Sequence, residues 1–343
     1  MAVIKMRRVT DPPRTQVLKG IFKIGPIRHD RPSPDTYSFL VAGGEGAAMR
    51  AAIVEPGEDG QVPGLVKAIR ELGVDLDRVL YVFATHIHFH HMQGVPWLLR
   101  ELPKAKFVVH PRAAPHVIDP TRLIESTLMA WGDKCYGPFE PISKEKVIGA
   151  EDGQVFDIGG RGLEVIHTPG HAPHHMSILD RETRAMFPGD LTGAGEGGPG
   201  HERGRPEILP PLFDFDGAIQ GLRKVRALKP TVFLRFGGQM ECFIPDKLLQ
   251  WDEEVITKVR DICLEGMRQK IGYEKLSEKV EAYFDSLNIP PGVETQVREG
   301  GKPGAPFGML AYLKRKYPEL EMPVSASPQM RRGTRSPGFA RSE

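Results

Sequence analysis

The chain has 343 residues, 40% of them apolar and 26% charged, with a formal net charge of +2. This is the make-up of a soluble globular protein; the nearly balanced charge gives no electrostatic case for nucleic-acid binding, and no stretch approaches the ~18 consecutive apolar residues of a membrane span. Three widely spaced cysteines, Cys135, Cys242 and Cys263, argue against a disulfide frame and read as free thiols in a reducing, cytoplasmic setting; the charged N-terminus lacks the apolar run of a secretory leader.

In chain order, residues 63–72 read as a helix with Leu65, Val66, Ile69 and Leu72 on one face. Residues 78–84, Arg-Val-Leu-Tyr-Val-Phe-Ala, read as a short buried strand. Directly after it, Thr-His-Ile-His-Phe-His-His-Met-Gln-Gly places His86, His88, His90 and His91 within six positions. An extended chain here would put His86, His88 and His90 on one face and bring His91 in from another. Neutral imidazole is a common transition-metal ligand, so the loop is a metal-site candidate. Residues 104–110 read as a strand and 120–131 as a helix begun by proline. Residues 131–142 are rich in aromatics and form either a pocket wall or a subunit contact.

Residues 162–171 read as a strand running into Thr-Pro-Gly-His, which presents His171, with His174 and His175 close behind. Residues 184–193 are a third strand, ending in a Gly-Asp turn that presents Asp190. Seven of the twelve histidines fall in two of these short stretches, which scattered surface usage does not explain. Residues 193–205 are glycine-rich and read either as a lid or as a plain connection; without a Gly-Lys-Ser/Thr ending they are no phosphate loop. Residues 214–228 read as a helix with Ala218, Ile219, Leu222, Val225 and Leu228 in phase. Residues 247–270, 273–287 and 307–316 carry further helical patterns, and the proline- and arginine-containing tail has too few apolar residues to bury a core. The organisation expected is a catalytic domain over 1–245, a helical extension over 246–318 and a flexible tail over 319–343.

The order of these motifs resembles the metallo-β-lactamase superfamily: a His-x-His-x-Asp-His loop, a Thr-Pro-Gly-His turn, a Gly-Asp turn and a final His before Gly. The resemblance covers roughly residues 18–245 and includes an opening hairpin in residues 35–41 and 49–57. It implies an α/β fold, a four-layer αββα sandwich of two mixed β-sheets flanked by helices, with the helical C-terminal appendage beyond it. It further implies that His86, His88 and His171 hold a first metal, that Asp190 bridges towards a second, and that His91 belongs to the second.

Two positions depart from the family pattern. His90 stands where the first loop has Asp, and Arg235 stands where the final His is expected. A guanidinium has no lone pair to give, so Arg235 is no ligand. One divalent ion rather than two is therefore expected, zinc foremost, with iron or manganese open; His90 is open between ligand, base and outer hydrogen-bond donor, and His201 is a substitute candidate for the missing histidine. His175 is expected to steady the His171 turn, and His174 to be a polar turn residue. His110, His116 and His167 read as structural or surface residues, and His29 carries no signal.

The implied chemistry is hydrolysis by a metal-activated water, whose pKa coordination lowers to roughly 7, acting on an ester, thioester or lactone bond of a small, anionic or neutral substrate. His90 would serve as base or proton shuttle, Asp190 as ligand, and Arg235 as the group holding a substrate anion. Two alternatives stay open: a mononuclear iron oxygenase acting on a thiol or persulfide, and a non-catalytic metal-binding protein. The expected partner is a small-molecule substrate, with neither nucleic acid nor membrane and with self-association undecided. The large inserted domain of the nucleic-acid-cleaving members has no room between Asp190 and Arg235, 45 residues apart (235 − 190).

Overall fold

The computed structural model describes residues 14–25, 36–131, 139–193, 206, 208, 212–236, 245–287 and 305–323. Its first sheet runs β1 (Arg14–Leu18), β2 (Ile21–Ile24), β3 (Ser38–Gly43), β4 (Arg50–Val54), β5 (Val79–Phe83), β6 (Lys106–Val109) and β7 (Val147–Gly149) side by side in chain order. Pairing is antiparallel from β1 to β4 and parallel from β4 to β7. The second sheet contains β8 (Val155–Asp157), β9 (Gly162–His167), β10 (Met176–Asp180), β11 (Ala185–Phe187) and β12 (Val232–Phe233). It is antiparallel except where β11 pairs with β12 in parallel. Both sheets are mixed.

Successive strand side chains point to opposite faces, and this alternation builds three apolar layers. On β3 and β4, Phe39, Val41, Ala52 and Val54 face the second sheet, where they meet Val165, Met176, Ile178 and Phe187. The alternate residues Leu40, Ala51 and Ile53 face outward onto α1 (Val62–Glu71), α2 (Phe89–Met92) and α3 (Val95–Glu101). Next come α4 (Ala114–Ile118) and α5 (Thr121–Trp131), with Val117 in the same layer. The outer face of the second sheet, through Ile166, Leu179, Met186 and Phe233, is covered by α6 (Phe215–Leu228). The result is helix, sheet, sheet, helix, as the sequence resemblance implies.

Among the described residues, three C-terminal helices follow: α7 (Pro245–Arg268), α8 (Tyr273–Asp285) and α9 (Ala305–Lys316). They do not enclose a core of their own. Leu248, Val255, Val259, Leu276, Val280, Met309 and Leu313 join Leu222 and Val225 of α6 in one continuous cluster that reaches the second sheet. The buried thiol of Cys263 lies within it, and burial pushes its pKa up to about 12. No described helix is long and apolar enough to cross a membrane.

One local expectation is overturned. The chain does not stay extended through the histidine loop. His88 is the last extended residue (φ −65°, ψ 141°) and α2 begins at Phe89. Phe89, Met92 and Val95, three apart, bury together in the helix-facing layer, which favours a helical course. His90 therefore leaves the face shared by His86 and His88. The tail from 324 onward and most of the glycine-rich segment, including His201, lie outside the described residues, as do His29 and residues 132–138.

Candidate metal centre

Three strand ends converge at one edge of the sandwich. β5 delivers His86 and His88, the turn after β9 delivers His171, and the turn after β11 delivers Asp190. His88 Nδ1 lies 2.9 Å from His86 Nε2 and 3.0 Å from His171 Nε2. Asp190 Oδ2 is 3.5 Å from His86 Nε2 and 3.2 Å from His171 Nε2. Four donors bound tetrahedrally at ~2.0–2.1 Å sit about 3.3 Å apart, and the observed spacings bracket that value.

Hydrogen bonds behind the rings aim the lone pairs inward. Glu55 accepts the Thr85 hydroxyl at 2.5 Å. Thr85 Oγ1 in turn lies 3.1 Å from His86 Nδ1, so it accepts that N–H and leaves Nε2 unprotonated. Burial first, and then the neighbouring imidazoles of His91, His88 and His171, hold His86 well below the ordinary imidazole range. Burial, His171 and His90 do the same to His88. Both rings are thereby kept neutral and able to donate.

Asp190 serves two sets of donors. Its second oxygen faces His91 Nε2 at 3.5 Å, and His90, His91 and Asp190 offer ligand atoms within 4.8 Å of one another. Both facing atoms, Asp190 Oδ1 and His91 Nε2, are buried without a hydrogen-bond partner among the described residues. His91 Nδ1 bonds Glu55 Oε2 at 2.9 Å. Burial opposes charge on His91, but Glu55 and Asp190 outweigh it and hold the imidazole well above its ordinary value. Burial likewise opposes ionisation of Asp190, and His91 and His171 overcome it, holding the carboxyl well below its usual range. A positive centre, proton or metal, is what this gap accommodates. The donor chemistry fits a divalent ion in the first set, and the second set has three donors to the first set's four.

Backbone constraints fix the carboxylate. Gly189 has φ +55°, and a Cβ there would stand 2.5 Å from Thr85 Oγ1 and 2.6 Å from His175 Nε2. His175 does more than steady the His171 turn. Its Nδ1 bonds Thr168 and its Nε2 accepts the Asp190 N–H at 3.0 Å, so one buried ring spans the turns that carry His171 and Asp190. The 168–171 turn is seated on α6, where Asp214 N–H donates to the Gly170 carbonyl at 2.8 Å.

His90 is half-buried, its ring 4.3 Å from that of His91 and 6.2 Å from that of His88. Arg235 is buried just after β12, and the next residue, Phe236, stacks on His91 at 4.3 Å. His174 is half-buried beside the first set, 6.3 Å from the His88 ring. His110 and His167 pack ring on ring at 4.1 Å, outside both donor sets. Sequence reasoning misses Glu55. Its only signal is a carboxylate ending the buried strand β4; it also takes φ +59°, uncommon for a residue with a side chain.

A model of the Metallo-beta-lactamase superfamily matches residues 34–237. The metallo-beta-lactamase fold-containing protein ST1585 of Sulfurisphaera tokodaii is 33% identical over 163 residues, 46% of this chain and 59% of that protein. An atrochrysone carboxyl ACP thioesterase of Aspergillus fumigatus is 29% identical over 151 residues, 44% of this chain and 36% of that protein. The chain thus spans less than two thirds of the length of either relative. Among solved structures, ST1585 superposes with a TM-score of 0.57 at 23% identity, covering 86% of this chain and 98% of its own. TTHA1429 of Thermus thermophilus, a metallo-beta-lactamase family protein, gives 0.58 at 16% identity, covering 88% and 95%. At such identities these structures speak to the fold.

Proposed function

We propose that this chain, which belongs to the metallo-β-lactamase superfamily, is a metal-dependent hydrolase that cleaves an ester, thioester or lactone bond of a small substrate. The observation that carries this reading is the convergence of His86, His88, His171 and Asp190 from three strand ends, with ligand-atom spacings between 2.9 and 3.5 Å. The thioesterase description of one relative puts thioesters first among the probes.

In this reading His86 Nε2, His88 Nδ1, His171 Nε2 and Asp190 Oδ2 hold the ion, zinc foremost. A divalent ion so placed supplies a water of lowered pKa and polarises the scissile carbonyl. The rest is done by the chain. Glu55 and Thr85 hold His86 in the tautomer that donates. His175 fixes the Asp190 turn, so that the carboxylate needs no rearrangement as charge develops. His90, the half-buried member of the second set, takes up and returns the proton at a ring nitrogen. Arg235 holds the anionic part of a charged substrate. The first set would offer an ion four donors and the second three; His90 would serve as a base with an ion in the first set alone, and as a ligand to an ion in the second.

Elemental analysis of the purified protein, with hydrolysis of an acyl thioester and a p-nitrophenyl ester before and after chelation, tests this. Zinc near one equivalent and chelator-sensitive turnover are expected, with His86→Ala and His171→Ala losing both metal and turnover. Bound iron with oxygen uptake on a thiol, and no hydrolysis, would overturn the reading.

A further inference from the structure

We propose that Tyr312 of α9 is a positioning residue for the metal centre, acting through Asp216 and the first turn of α6 on the turn that carries His171; this rests on the reading of His171 as a ligand. The helix lies beyond residues 34–237, the part that matches the superfamily.

The link is continuous. Tyr312 is buried, and its hydroxyl donates to Asp216 Oδ2 at 2.8 Å. Lys316 donates to the same oxygen at 2.7 Å and to the Tyr312 oxygen at 2.8 Å. Arg315 donates to the Phe213 carbonyl. The Tyr312 ring packs against Phe215 at 5.8 Å, and the guanidinium of Arg260 from α7 lies 4.7 Å from the centre of that same Phe215 ring. Residues 213–216 are thus gripped by two C-terminal helices.

These residues are also what the ligand turn rests on. Asp216 N–H donates to the Asp214 side chain at 3.1 Å, and Asp214 N–H donates to the Gly170 carbonyl. The surfaces meet without slack: a Cβ on Gly170 would stand 2.5 Å from Ala218 Cα, and one on Gly217 would stand 3.0 Å from the Pro169 carbonyl. A shift of the first α6 turn therefore moves residues 169–170, and His171 follows Gly170 directly. Lys316 and Asp216 are half-exposed, and such a pair contributes little alone. The buried tyrosine, donating to a charged acceptor, is the stronger member.

The test uses the full chain and its Tyr312→Phe variant, with Val280→Ala as the control; Val280 is buried in α8 within the same core cluster. Two quantities are read. Hydrogen exchange of the Asp214 amide reports the contact with Gly170 without any metal. Co2+ affinity, by chelator competition, with the visible spectrum of the bound ion, reports the ligand set. Tyr312→Phe is expected to speed Asp214 exchange and to weaken Co2+ about tenfold, the low end for groups that orient metal ligands. Val280→Ala should lower the melting temperature and change neither. Unchanged Co2+ affinity in Tyr312→Phe overturns the proposal, with or without faster exchange, and so do equal shifts in the control. Wild-type protein that takes up no Co2+ overturns the ligand reading itself. That outcome is distinct from one in which wild type and variant bind Co2+ equally.

Discussion

The carboxylate of Glu55 joins the two donor sets: one oxygen accepts from His91 Nδ1 at 2.9 Å and the other from the Thr85 hydroxyl at 2.5 Å, which in turn accepts from His86 Nδ1. One buried side chain thus sets which nitrogen of His86 and which nitrogen of His91 face Asp190. It is placed by the end of β4, whose parallel partner β5 delivers the histidines. Orientation of both imidazoles follows from the pairing of two adjacent strands, with Val54 opposite Phe83 at the end that carries the site.

Glu55→Gln keeps the volume and removes the charge. The amide cannot accept from both partners as strongly, and its NH2 group confronts one of two donors. Metal affinity is expected to fall about 10–100-fold. Chelator competition measures this, and circular dichroism should show an unchanged fold. An affinity within about twofold of wild type, far short of that loss, would mean that Glu55 does not orient the ligands.

Gly189→Ala strikes the Asp190 turn. The residue has φ +55°, and an added Cβ meets Thr85 and His175 well inside van der Waals contact. Strain at a left-handed position costs about 1 kcal/mol or more, and the clash adds to it. A loss of about 2–4 kcal/mol in urea unfolding is expected, with weaker metal binding because Asp190 is displaced. Substitution with a small effect on both would show that the turn has room that its contacts do not suggest.

The convergence of the first donor set was legible because each of its residues follows a strand whose apolar pattern is plain. A strand fixes where its next residue points, so His86, His88, His171 and Asp190 were placed by chemistry and context together. The alternation of strands and helices made only the α/β class legible; the four-layer order came from the resemblance to the superfamily. His90 was misplaced because the loop sequence does not announce a helix start; only the burial of Phe89, Met92 and Val95 against the sheet decides it. Glu55 was missed because a carboxylate in Glu-Pro-Gly reads like any surface turn, and its role depends on a pairing partner 30 residues away at Thr85. β7 and β8 are no shorter than β11, but their residues are partly exposed and no motif marks their ends, so nothing in the sequence announces them.

Arg235 occupies a buried position beside Phe236, which packs on His91. If it holds an anionic substrate group, Arg235→Ala should raise KM for a carboxylate-bearing ester at least about tenfold relative to a matched neutral ester, the worth of one charge-assisted hydrogen bond. Arg235→Lys should recover part of that difference. Parallel changes for both substrates would assign Arg235 to the fold instead.

The buried histidines make the metal-free protein acid-sensitive. Burial, followed by neighbouring positive groups, lowers His174 and His175 to about 3 and His110 to about 4; His86 and His88 are also pushed well down. An unfolded chain titrates these at ~6.5. Between about pH 6.5 and 4 the unfolded state therefore binds more protons, and stability falls as pH falls. His91 works the other way. Glu55 and Asp190 raise it despite its burial, so its contribution is full below ~6.5 and is lost as pH rises through its folded value. Asp190, held low by His91 and His171 against its burial, contributes fully above its unfolded value near 4 and loses that contribution only in stronger acid. Across the window the five lowered imidazoles set the slope, because the contribution of His91 is already full there. The urea midpoint of the metal-free protein should drop steeply from about pH 7 to about pH 5, with a net uptake of at least about two protons on unfolding. Bound metal should flatten the profile, because ligand nitrogens then cannot protonate without releasing it. A midpoint independent of pH over this range would show that these imidazoles meet water in the folded chain.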